Sequence, residues 1–597
     1  MPILFWQGEW RKSMKKIISL LLAATMVFGA MLSLSSCGAP KDSGAQISVY
    51  LGGEVFDFDP SEYYVSKNAE QILSLIYEPL FSIDEKGKLN LAAAKDYDVD
   101  EKERKITIKL RETYWSDEVL VTANDFLVAW RKILDADNQN PAAALFFDIE
   151  NAIAIKAGKS VFTLGVTAID NEETHELVIT YREGADYKQL LKNLASVATA
   201  PVREDMLETA PDYWSKDIMK LVTNGPFKVS ALDYDLGAFT LSRNIGYHQK
   251  SSVEDYTKNV TPASLVSFFT GSKKLELTYE DIQSKTVFFM SEATLADRMD
   301  NKDKAKVSDD FSTYTYVFNT NNPLFKDAKV RKALSLVLDR EAIIEAVTFG
   351  KAATGFLPDV VAKSVYGKNI ATRIEVSDNL TKAKELLNTV DFAGLEKSFT
   401  LTVNNDEQSV AIAEIAKAAW KKLGFNVKVN KVSHVSSELV DKNQEETIEF
   451  KDSAIQTLAM KAANGDCQFD VLAIDWQMYS ADALVALSAF TSHMNGNGVD
   501  FVQTGKNRTN ISGWTNSTYD SYINAAYLAK TSEERNEALI KAEQILIEEA
   551  PIIPIMYNQS FAFVSGDLSG VKFDGFGNFV FTKVSQKNYE KYLPDEE

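Results

Sequence analysis

Apolar and polar residues alternate along several segments of this chain, a spacing that predicts strands with one buried face. Residues 104–110 (Arg-Lys-Ile-Thr-Ile-Lys-Leu) and 175–181 both place an apolar side chain at every second position, which matches the two-residue period of a strand. Phe425, Val427 and Val429 repeat the pattern further along the chain. We therefore expect a strand in each of these three places.

Other segments space their apolar residues three or four positions apart, which predicts amphipathic helices. A capping box at Thr122–Asp125 opens one of them. A second covers residues 412–423 and stops at Gly424, a residue suited to a helix C-terminus. A third begins at Thr531 and ends before Pro551. Helices followed by strands in both halves of the chain indicate an α/β fold.

The first 37 residues follow the order basic, apolar, small and cysteine. Basic residues at positions 11–16 precede the apolar run Ile17–Met31, and Ser35 and Ser36 stand before Cys37. This order predicts a bacterial lipoprotein signal peptide over residues 1–36, with Met14 as its natural start and Cys37 as the lipidated first residue of the mature protein. Residues 37–45 would then be a flexible tether. The alternative is an uncleaved membrane anchor, because the apolar run is about long enough to span a bilayer.

Composition agrees with an exported protein that has a large core. The chain has 597 residues, of which 45% are hydrophobic, and a net charge of −20. This length predicts several domains or one architecture built from several lobes, and the acidity argues against a nucleic-acid partner. Cys467 is the only cysteine besides Cys37, so no intramolecular disulfide is expected. No second apolar run long enough to span a bilayer follows Cys37.

Catalytic and metal-binding motifs are missing from the sequence. No two histidines stand at a spacing typical of metal ligands. The four histidines are His175, His248, His434 and His493. The sequence contains no nucleophile elbow and no phosphate-binding loop with lysine. Cys467 reads as an inert thiol. We therefore expect no enzyme activity, no metal and no cofactor, and an extracellular hydrolase is the weaker alternative.

A set of short motifs in a fixed order gives the chain a family resemblance. The motifs are Ile76-Tyr77-Glu78-Pro79-Leu80, Trp115-Ser116-Asp117, Asn224-Gly225-Pro226-Phe227, Val330-Arg331-Lys332-Ala333-Leu334, Gly355-Phe356-Leu357-Pro358 and Ile552-Ile553-Pro554-Ile555. In this order the chain resembles the extracellular solute-binding proteins of the oligopeptide/dipeptide class, family 5, which serve ABC importers. The resemblance covers residues 46 to 590, nearly the whole mature chain.

The resemblance implies an α/β, two-lobed periplasmic-binding-protein-like fold with a hinge and an extra subdomain on the first lobe. The segments it implies are residues 46–83, 200–312 and 556–597 for lobe one, residues 84–199 for the subdomain, and residues 313–555 for lobe two. Tyr314–Thr320 and Ile553–Tyr557 would be the hinge strands, about which the lobes close on a ligand.

The resemblance also implies a ligand site, from which this chain departs at one position. Peptide-binding members carry a tryptophan followed three residues later by an aspartate that pairs with the peptide's N-terminal ammonium. Here Trp476 matches, but Tyr479 stands where that aspartate is expected. Asp475 or Asp482 could substitute from another angle. Otherwise the ligand lacks a free amine at that point, or the match slips locally and Tyr479 lies outside the cleft.

Three further tyrosines are candidate ligand contacts. Tyr314 and Tyr316 alternate along the first hinge segment and should share one face, and Tyr557 ends the second. Rings with a hydroxyl suit a cleft that accepts varied side chains, whereas ordinary sheet packing is the alternative. Residues 433–466 look longer than the usual connection before Trp476, so we expect either a surface insertion with a helix or a flap over the cleft.

These observations together predict a binding protein that is held on the outer face of the membrane by a lipid anchor. It would be a monomer that captures peptides or a related small solute between its lobes and delivers them to the permease subunits of an ABC transporter. In a double-membraned cell it would face the periplasm. The alternatives are a receptor for a peptide signal that does not import it and a binding protein for a non-peptide solute.

Overall fold

The computed structural model describes most of the chain after the N-terminal segment. It covers residues 44–593 except 53–56, 62–66, 211–213, 217–219, 234–237, 251–254, 269–276, 434–436, 443–444, 451–453 and 494–508. Cys37 and the predicted signal peptide and most of the tether lie outside the described residues. No helix in the described part is long and apolar enough to cross a membrane.

The described strands are numbered in chain order. They are β1 (Gln46–Tyr50), β2 (Phe81–Ile83), β3 (Leu89–Leu91), β4 (Ala94–Asp100), β5 (Lys105–Leu110), β6 (Val166–Asp170), β7 (His175–Thr180), β8 (Phe227–Asp233), β9 (Ala238–Arg243), β10 (Ser264–Phe268), β11 (Phe289–Met290), β12 (Lys306–Phe318), β13 (Gly350–Ala352), β14 (Ser398–Asn404), β15 (Asn426–Val432), β16 (Ser437–Lys442), β17 (Glu445–Phe450), β18 (Val471–Gln477), β19 (Ile552–Val564), β20 (Leu568–Ser569), β21 (Lys572–Phe573), β22 (Phe579–Val580) and β23 (Ser585–Gln586). The strands predicted at residues 104–110 and 175–181 are β5 and β7, and the one predicted from Phe425 is β15.

The described α-helices are numbered in the same way. They are α1 (Lys67–Ile76), α2 (Ala123–Leu134), α3 (Ala152–Lys156), α4 (Tyr187–Asn193), α5 (Glu204–Thr209), α6 (Tyr279–Gln283), α7 (Leu295–Asn301), α8 (Ala328–Leu336), α9 (Arg340–Val347), α10 (Asp359–Tyr366), α11 (Leu380–Leu387), α12 (Glu407–Lys421), α13 (Ala454–Ala463), α14 (Ala483–Ser488), α15 (Ser517–Leu528) and α16 (Ser532–Glu549). The predicted capping box opens α2, where Thr122 and Asp125 bond reciprocally. Thr531 caps α16 as expected.

One large mixed sheet runs through both halves of the molecule. Its strand order is β15-β14-β18-β12-β19-β11-β1-β10-β9-β8, with β13 added beside β19. The long strands β12 and β19 pair in the middle of this order. We call the half that contains β1, β8, β9, β10 and β11 lobe one, and the half that contains β14, β15 and β18 lobe two. The two central strands therefore connect the lobes.

A separate antiparallel sheet in the order β4-β5-β7-β6 forms a subdomain. Helix α2 packs on β6 and β7 of this sheet, and its buried residues include Phe126 and Trp130. Phe146 lies against Trp130, with their ring centroids 5.3 Å apart. We call this sheet and helices α2, α3 and α4 the antiparallel subdomain.

Helices cover both faces of the sheet in lobe two, as parallel strands require. One face packs against α8, α9, α11 and α12 and has its own apolar core, which contains Trp420. The other face packs against α10, α14 and α16 and joins the core that extends into lobe one and the subdomain. Residues 433–466 include the hairpin β16–β17 and helix α13, and α13 buries Ile455 and Ala459 in this second core. The predicted helix in this insertion is thus present and packed.

Candidate functional site

Three parallel strands of lobe two end at the same edge of the sheet. Strands β14, β15 and β18 pair in parallel and end at Asn404, Val432 and Gln477. Ligands of open α/β sheets bind beyond the carboxyl ends of such strands. The residues at this edge are therefore the first place to look for a site.

The N-terminus of α12 lies at this edge and meets lobe one. Asp406 is the N-cap of α12, and the next two residues touch α7 of the other lobe. Glu407 accepts a hydrogen bond of 2.6 Å from the backbone N–H of Leu295, and Arg298 donates to Gln408 at 3.0 Å. The carboxyl edge of the lobe-two strands thus faces the boundary between the lobes.

The last residues of β18 point alternately to the two faces of the sheet. Asp475 and Gln477 share one face, and Trp476 lies on the other. Beside them on β12 are Tyr314 and Ser312, which pair with Asp475 and Gln477. Strand β18 therefore presents two polar side chains on the α12 side and one aromatic ring on the opposite side.

The ring of Trp476 is half-buried and held by two phenylalanines. Its centroid is 4.7 Å from that of Phe490, at an interplanar angle of 30°, and 5.8 Å from that of Phe356, at 80°. The neighbours fix the ring while part of it stays accessible. A fixed, partly accessible indole offers a large contact area for a ligand.

A chain of hydrogen bonds crosses from β18 to both linking strands. The Asn558 Nδ2 atom donates to Asp475 Oδ1 and to Ser312 Oγ, each at 2.8 Å. The Ser312 hydroxyl in turn donates to Asp310 Oδ1 at 2.6 Å. The pairing of β12 with β19 shifts register between Asp309 and Thr313, so this network lies where the linking strands are irregular. Asn558 had no sequence signal, since only the strand pairing brings it here.

Asp475 lies in a negative environment. Burial, together with the nearby carboxylates of Asp406 and Asp310, raises the pKa of its carboxyl group to about 7, although the hydrogen bond from Asn558 lowers it. Among the described residues no lysine, arginine or histidine forms an ion pair with Asp475. On the same strand face, the buried Gln477 Nε2 has no hydrogen-bond partner within the described part of the chain. The buried Oδ1 of Asn404, at the end of β14, likewise has none there.

Tyr314 and Tyr316 share a face of β12, as their alternation predicted, and that face belongs to the core of lobe two. Their ring centroids are 5.9 Å apart, and Tyr316 lies 5.7 Å from Trp420. Both rings are almost fully buried. Their environment corresponds to ordinary sheet packing, which was the alternative to a ligand contact. The Tyr314 hydroxyl lies near Ser409. Burial raises the pKa of this hydroxyl, and the charge of Asp475 contributes to the increase.

Tyr557 on β19 is buried, and its hydroxyl makes hydrogen bonds to residues 354, 355 and 373. It accepts hydrogen bonds from Arg373 at 3.0 Å and from the Thr354 backbone N–H at 3.2 Å, and donates to the Gly355 carbonyl oxygen at 3.2 Å. Arg373 pairs with Glu543 at 2.9 Å. The Tyr557 hydroxyl is therefore bonded within the protein itself.

Glu543, which sequence reasoning missed, holds the segment that supports Trp476. Its Oε1 atom accepts hydrogen bonds from the backbone N–H groups of Phe356 and Leu357, at 2.9 and 3.0 Å. Glu543 is fully buried, and Arg373 compensates its charge. Because Phe356 is one of the two rings against Trp476, this buried ion pair fixes the aromatic side of the site. An acidic residue inside a helix gives no sequence signal for such a role.

Tyr479 and Asp482 follow Trp476 and are both buried. The Tyr479 ring lies in the core that lobe two shares with the subdomain. The Asp482 carboxylate caps α14 by accepting a hydrogen bond from the Leu484 N–H at 2.9 Å. The Nη2 atom of Arg535 donates to both of its oxygens, at 2.9 Å to Oδ1 and 2.8 Å to Oδ2. The negative charge of Asp482 is therefore already compensated by the guanidinium group of Arg535.

Arg535 also joins lobe two to the antiparallel subdomain. Its Nη1 atom lies 3.7 Å from Asp148 Oδ2, and Arg182 pairs with the other oxygen of Asp148 at 2.5 Å. Ser480 donates to Asn193 at 2.9 Å across the same contact. We call the six residues Asp148, Arg182, Asn193, Ser480, Asp482 and Arg535 the clasp. Although burial alone would lower the pKa of Arg535, Asp482 and Asp148 raise it above its ordinary value.

Neither a metal site nor a reactive thiol stands out in the described part of the chain. No group of three or more histidine, cysteine, aspartate or glutamate side chains there is arranged to hold a metal ion. Cys467 is half-buried, and burial raises the pKa of its thiol, which disfavours the nucleophilic thiolate.

Comparison with known proteins places the chain in a family. The family described as "Bacterial extracellular solute-binding proteins, family 5 Middle" matches residues 88–498, so the chain belongs to the family 5 solute-binding proteins. Dipeptide-binding protein DppE of Bacillus subtilis (strain 168) is 27% identical over 576 residues, covering 92% of this chain and 95% of the relative. Periplasmic murein peptide-binding protein MppA of Escherichia coli (strain K12) is 26% identical over 554 residues, covering 91% and 94%.

Solved structures share the two-lobed fold. The pheromone receptor PrgZ has a TM-score of 0.74 at 21% identity, covering 92% of this chain and all of that one (100%). A structure of E. coli MppA has a TM-score of 0.70 at 23% identity, covering 91% and 97%. The unliganded open form of MppA reaches only 0.55, covering 91% and 98%. These likenesses show that the chain has the same fold as these proteins.

Proposed function

We propose that this member of family 5 is a lipid-anchored extracellular protein that captures peptides between its two lobes and delivers them to the permease of an ABC importer. Two relatives that match nearly the full chain are described as binding a dipeptide or a murein peptide. The residues Asp475, Trp476 and Gln477 offer contact area and charge, which suits the capture of a ligand. The protein is therefore proposed to bind its ligand without changing it.

The observation that carries the proposal is the patch at the carboxyl edge of lobe two. Trp476 supplies an aromatic surface, and Asp475 and Gln477 supply polar groups, all beside the strands that link the lobes. A peptide needs both kinds of partner, because its backbone is polar while its side chains vary. Bending of β12 and β19 would bring lobe one over this patch.

The arrangement of the lobes supports capture by closure. The lower TM-score to the unliganded open form of MppA is consistent with a closed arrangement in this chain. The clasp joins the subdomain to lobe two and requires that these two parts meet. A ligand shifts such an equilibrium by as much as its affinity for the two arrangements differs.

Native mass spectrometry tests the proposal directly. The full protein would be purified in detergent from cells grown in a peptide-rich medium, and its bound molecules would be released by denaturation. We expect a heterogeneous set of short peptides. A single non-peptide compound would overturn peptide capture while leaving a role in solute capture intact.

The proposed anchor has its own test, in which Cys37→Ser removes the site of lipid attachment. We expect mass spectrometry of the wild-type protein to find a lipid-modified Cys37 as its first residue, and the variant to carry no lipid. An unmodified wild-type chain that still begins before residue 17 would mean that the apolar run acts as an uncleaved anchor.

A second candidate function is reception of a peptide signal without import. The pheromone receptor PrgZ has the same fold, with a TM-score of 0.74. Uptake of labelled peptide by cells with and without the gene separates the two, because only an importer component changes uptake.

A further inference from the structure

We propose that a cavity in lobe two binds a small organic acid, with the carboxylate of the acid at Lys332 and Ser335 and its apolar body against the isoleucine side chains of the walls. The cavity has a volume of about 360 Å³ and lies between α8, α11, α16 and the start of β19. It is a second binding site, separate from the patch around Asp475, and it goes beyond the proposed function.

The cavity lies away from the boundary between the lobes. Its lining includes Ile552 and Pro554 at the start of β19, whereas Asn558, which donates to Asp475, comes later on the same strand. Ile552 and Asn558 are six positions apart, which corresponds to about 20 Å along a strand. A molecule in the cavity would therefore not occupy the place of a peptide at Trp476.

The walls of the cavity are largely apolar. The apolar residues that line it are Leu336, Ile374, Ile540, Ile547, Ile552 and Pro554. They come from α8, from the segment before α11, from α16 and from β19. Apolar walls with a few polar groups at fixed places are typical of sites for small molecules, and the volume of this cavity is within the range of such sites.

One turn of α8 supplies two polar groups to the cavity. Lys332 and Ser335 both line it, and they are three positions apart on this helix, so their side chains are neighbours on its surface. Lys332 is half-buried and forms no ion pair with a carboxylate of the described residues. The ammonium group of Lys332 is therefore available to an anion in the cavity.

A buried guanidinium group lies behind this turn of α8. Arg340 is fully buried, and its Nη2 atom donates to Ser335 Oγ at 3.0 Å. Its Nε atom donates to the Pro554 carbonyl oxygen at 2.9 Å, and Nη1 donates to the Glu375 carbonyl oxygen at 3.3 Å. These three partners all line the cavity, but no carboxylate among the described residues pairs with Arg340. Because a buried charge without a counter-ion is unfavourable, an anion beside it would be stabilised.

The hydroxyl of Ser335 connects this buried charge with the cavity. Because its Oγ atom accepts from Arg340, the O–H bond points elsewhere, and it donates to no acceptor in the described part of the chain. A ligand carboxylate is a suitable acceptor, since a hydrogen bond to an ionised group is stronger than one between neutral groups. Lys332 would bind the second oxygen of the same carboxylate.

The acidic residues of the lining do not cancel this positive charge. Glu375 is paired with Lys382 at 3.4 Å. Glu548 is exposed and accepts a hydrogen bond from Gln544 at 3.0 Å, and water and salt screen an exposed charge of this kind. The cavity therefore favours a ligand with one negative charge and an apolar body.

The test compares an acid with its neutral amide. The full protein in detergent is dialysed to equilibrium against 3-phenylpropionate or against 3-phenylpropionamide, with detergent alone as the blank. We expect wild-type protein to bind the acid about tenfold more tightly than the amide, because only the acid makes charge-assisted hydrogen bonds. Lys332→Gln should remove most of this preference by weakening binding of the acid.

Further variants locate the bound acid. Lys329→Gln removes an exposed lysine of the same helix that does not line the cavity, and it should keep the wild-type preference. Ile547→Trp and Ile540→Trp each place a larger side chain in the cavity from α16, and each should abolish binding of both compounds. Thermal melting checks that every variant folds.

The inference is overturned if wild-type protein does not bind the acid, or if it binds the acid and the amide equally. It is also overturned if Lys332→Gln keeps the preference for the acid. Binding of the acid at wild-type strength by a folded Ile547→Trp or Ile540→Trp protein would overturn it as well, because the acid would then lie outside this cavity.

Discussion

Asp475 and Asp482 lie seven positions apart in lobe two, and the protein treats their charges in opposite ways. Asp482 is neutralised by Arg535 and by the N-terminus of α14. Asp475 has one amide donor from Asn558 and carboxylates as its charged neighbours. A buried carboxylate that the protein pairs with its own cation therefore stabilises the fold, whereas a buried carboxylate without such a cation is available to a ligand.

The two environments also differ in what they connect. The clasp around Asp482 reaches the antiparallel subdomain through Asp148 and Asn193. The patch around Asp475 lies against the linking strands through Ser312 and Asn558. The clasp is therefore suited to holding parts of the molecule together, and the patch is suited to receiving a ligand while the linking strands bend.

The largest expected effect comes from removing the cation of the clasp. Arg535→Met leaves Asp482 and Asp148 buried with less compensation, so we expect the free energy of unfolding to fall by about 3 to 5 kcal/mol. Urea unfolding at pH 7 measures this. Lys541→Met on the same helix is the matched control, because its pair with Glu537 is exposed, so this variant should unfold close to wild type.

A second substitution would then test the cause of that loss. Adding Asp482→Asn to Arg535→Met removes the uncompensated charge and should restore part of the stability. If Arg535→Met alone costs under about 1 kcal/mol, the clasp is not a scaffold element and the contrast with Asp475 disappears.

Asp475→Asn should have the opposite effect on stability. The pKa of Asp475 is raised from its ordinary value to about 7, so the folded protein favours the protonated group. That contribution is present below about pH 4 and is lost as the pH rises towards 7. We expect the variant to match wild type near pH 4 and to be more stable at pH 8, by up to about 4 kcal/mol. Asp466→Asn, which removes an exposed carboxylate shortly before β18, should stay parallel to wild type, and a gap that is constant with pH would contradict the prediction.

The elements of the fold could be predicted where the signal is local. The capping box at Thr122 and the N-cap at Thr531 are contained in a few adjacent residues, and both helices begin there. Alternation likewise placed Tyr314 and Tyr316 on one face of a strand. Alternation could not predict whether that face lies in the core or in a cleft, because a two-residue period shows only that adjacent side chains point to opposite faces of the sheet.

The site was less accessible to sequence reasoning, because its partners are far apart in the chain. Asp482 and Arg535 are separated by 53 positions, and neither stands in a motif that names the other. The sequence offered Asp475 and Asp482 as equal candidates for binding an amine. Only the packing of α14 and α16 distinguishes them, since it brings an arginine to one carboxylate and none to the other.

Binding should depend on pH through Asp475. If the ammonium group of a peptide pairs with Asp475, as the sequence analysis expects, binding requires the ionised carboxylate, whose pKa is about 7 before the pairing. Affinity should therefore fall by up to about tenfold for each pH unit below 7, as titration calorimetry at pH 8, 7 and 6 would measure. Asp475→Asn should show no such slope. A slope of equal size in the variant would assign the dependence to another group, such as Asp406 or Asp310.

The smallest expected effect concerns a neutral contact between the same parts that the clasp joins. Gln139, in the segment after α2, and Asn464, after α13, exchange amide hydrogen bonds of 2.7 and 2.8 Å. Because no charge is left behind when either is removed, a double-mutant cycle with Gln139→Ala and Asn464→Ala should give a coupling of only about 1 kcal/mol. A coupling energy as large as the loss of unfolding free energy in Arg535→Met would contradict this explanation. The contribution of the clasp would then come from the contact between lobe two and the antiparallel subdomain, and not from compensation of buried charge.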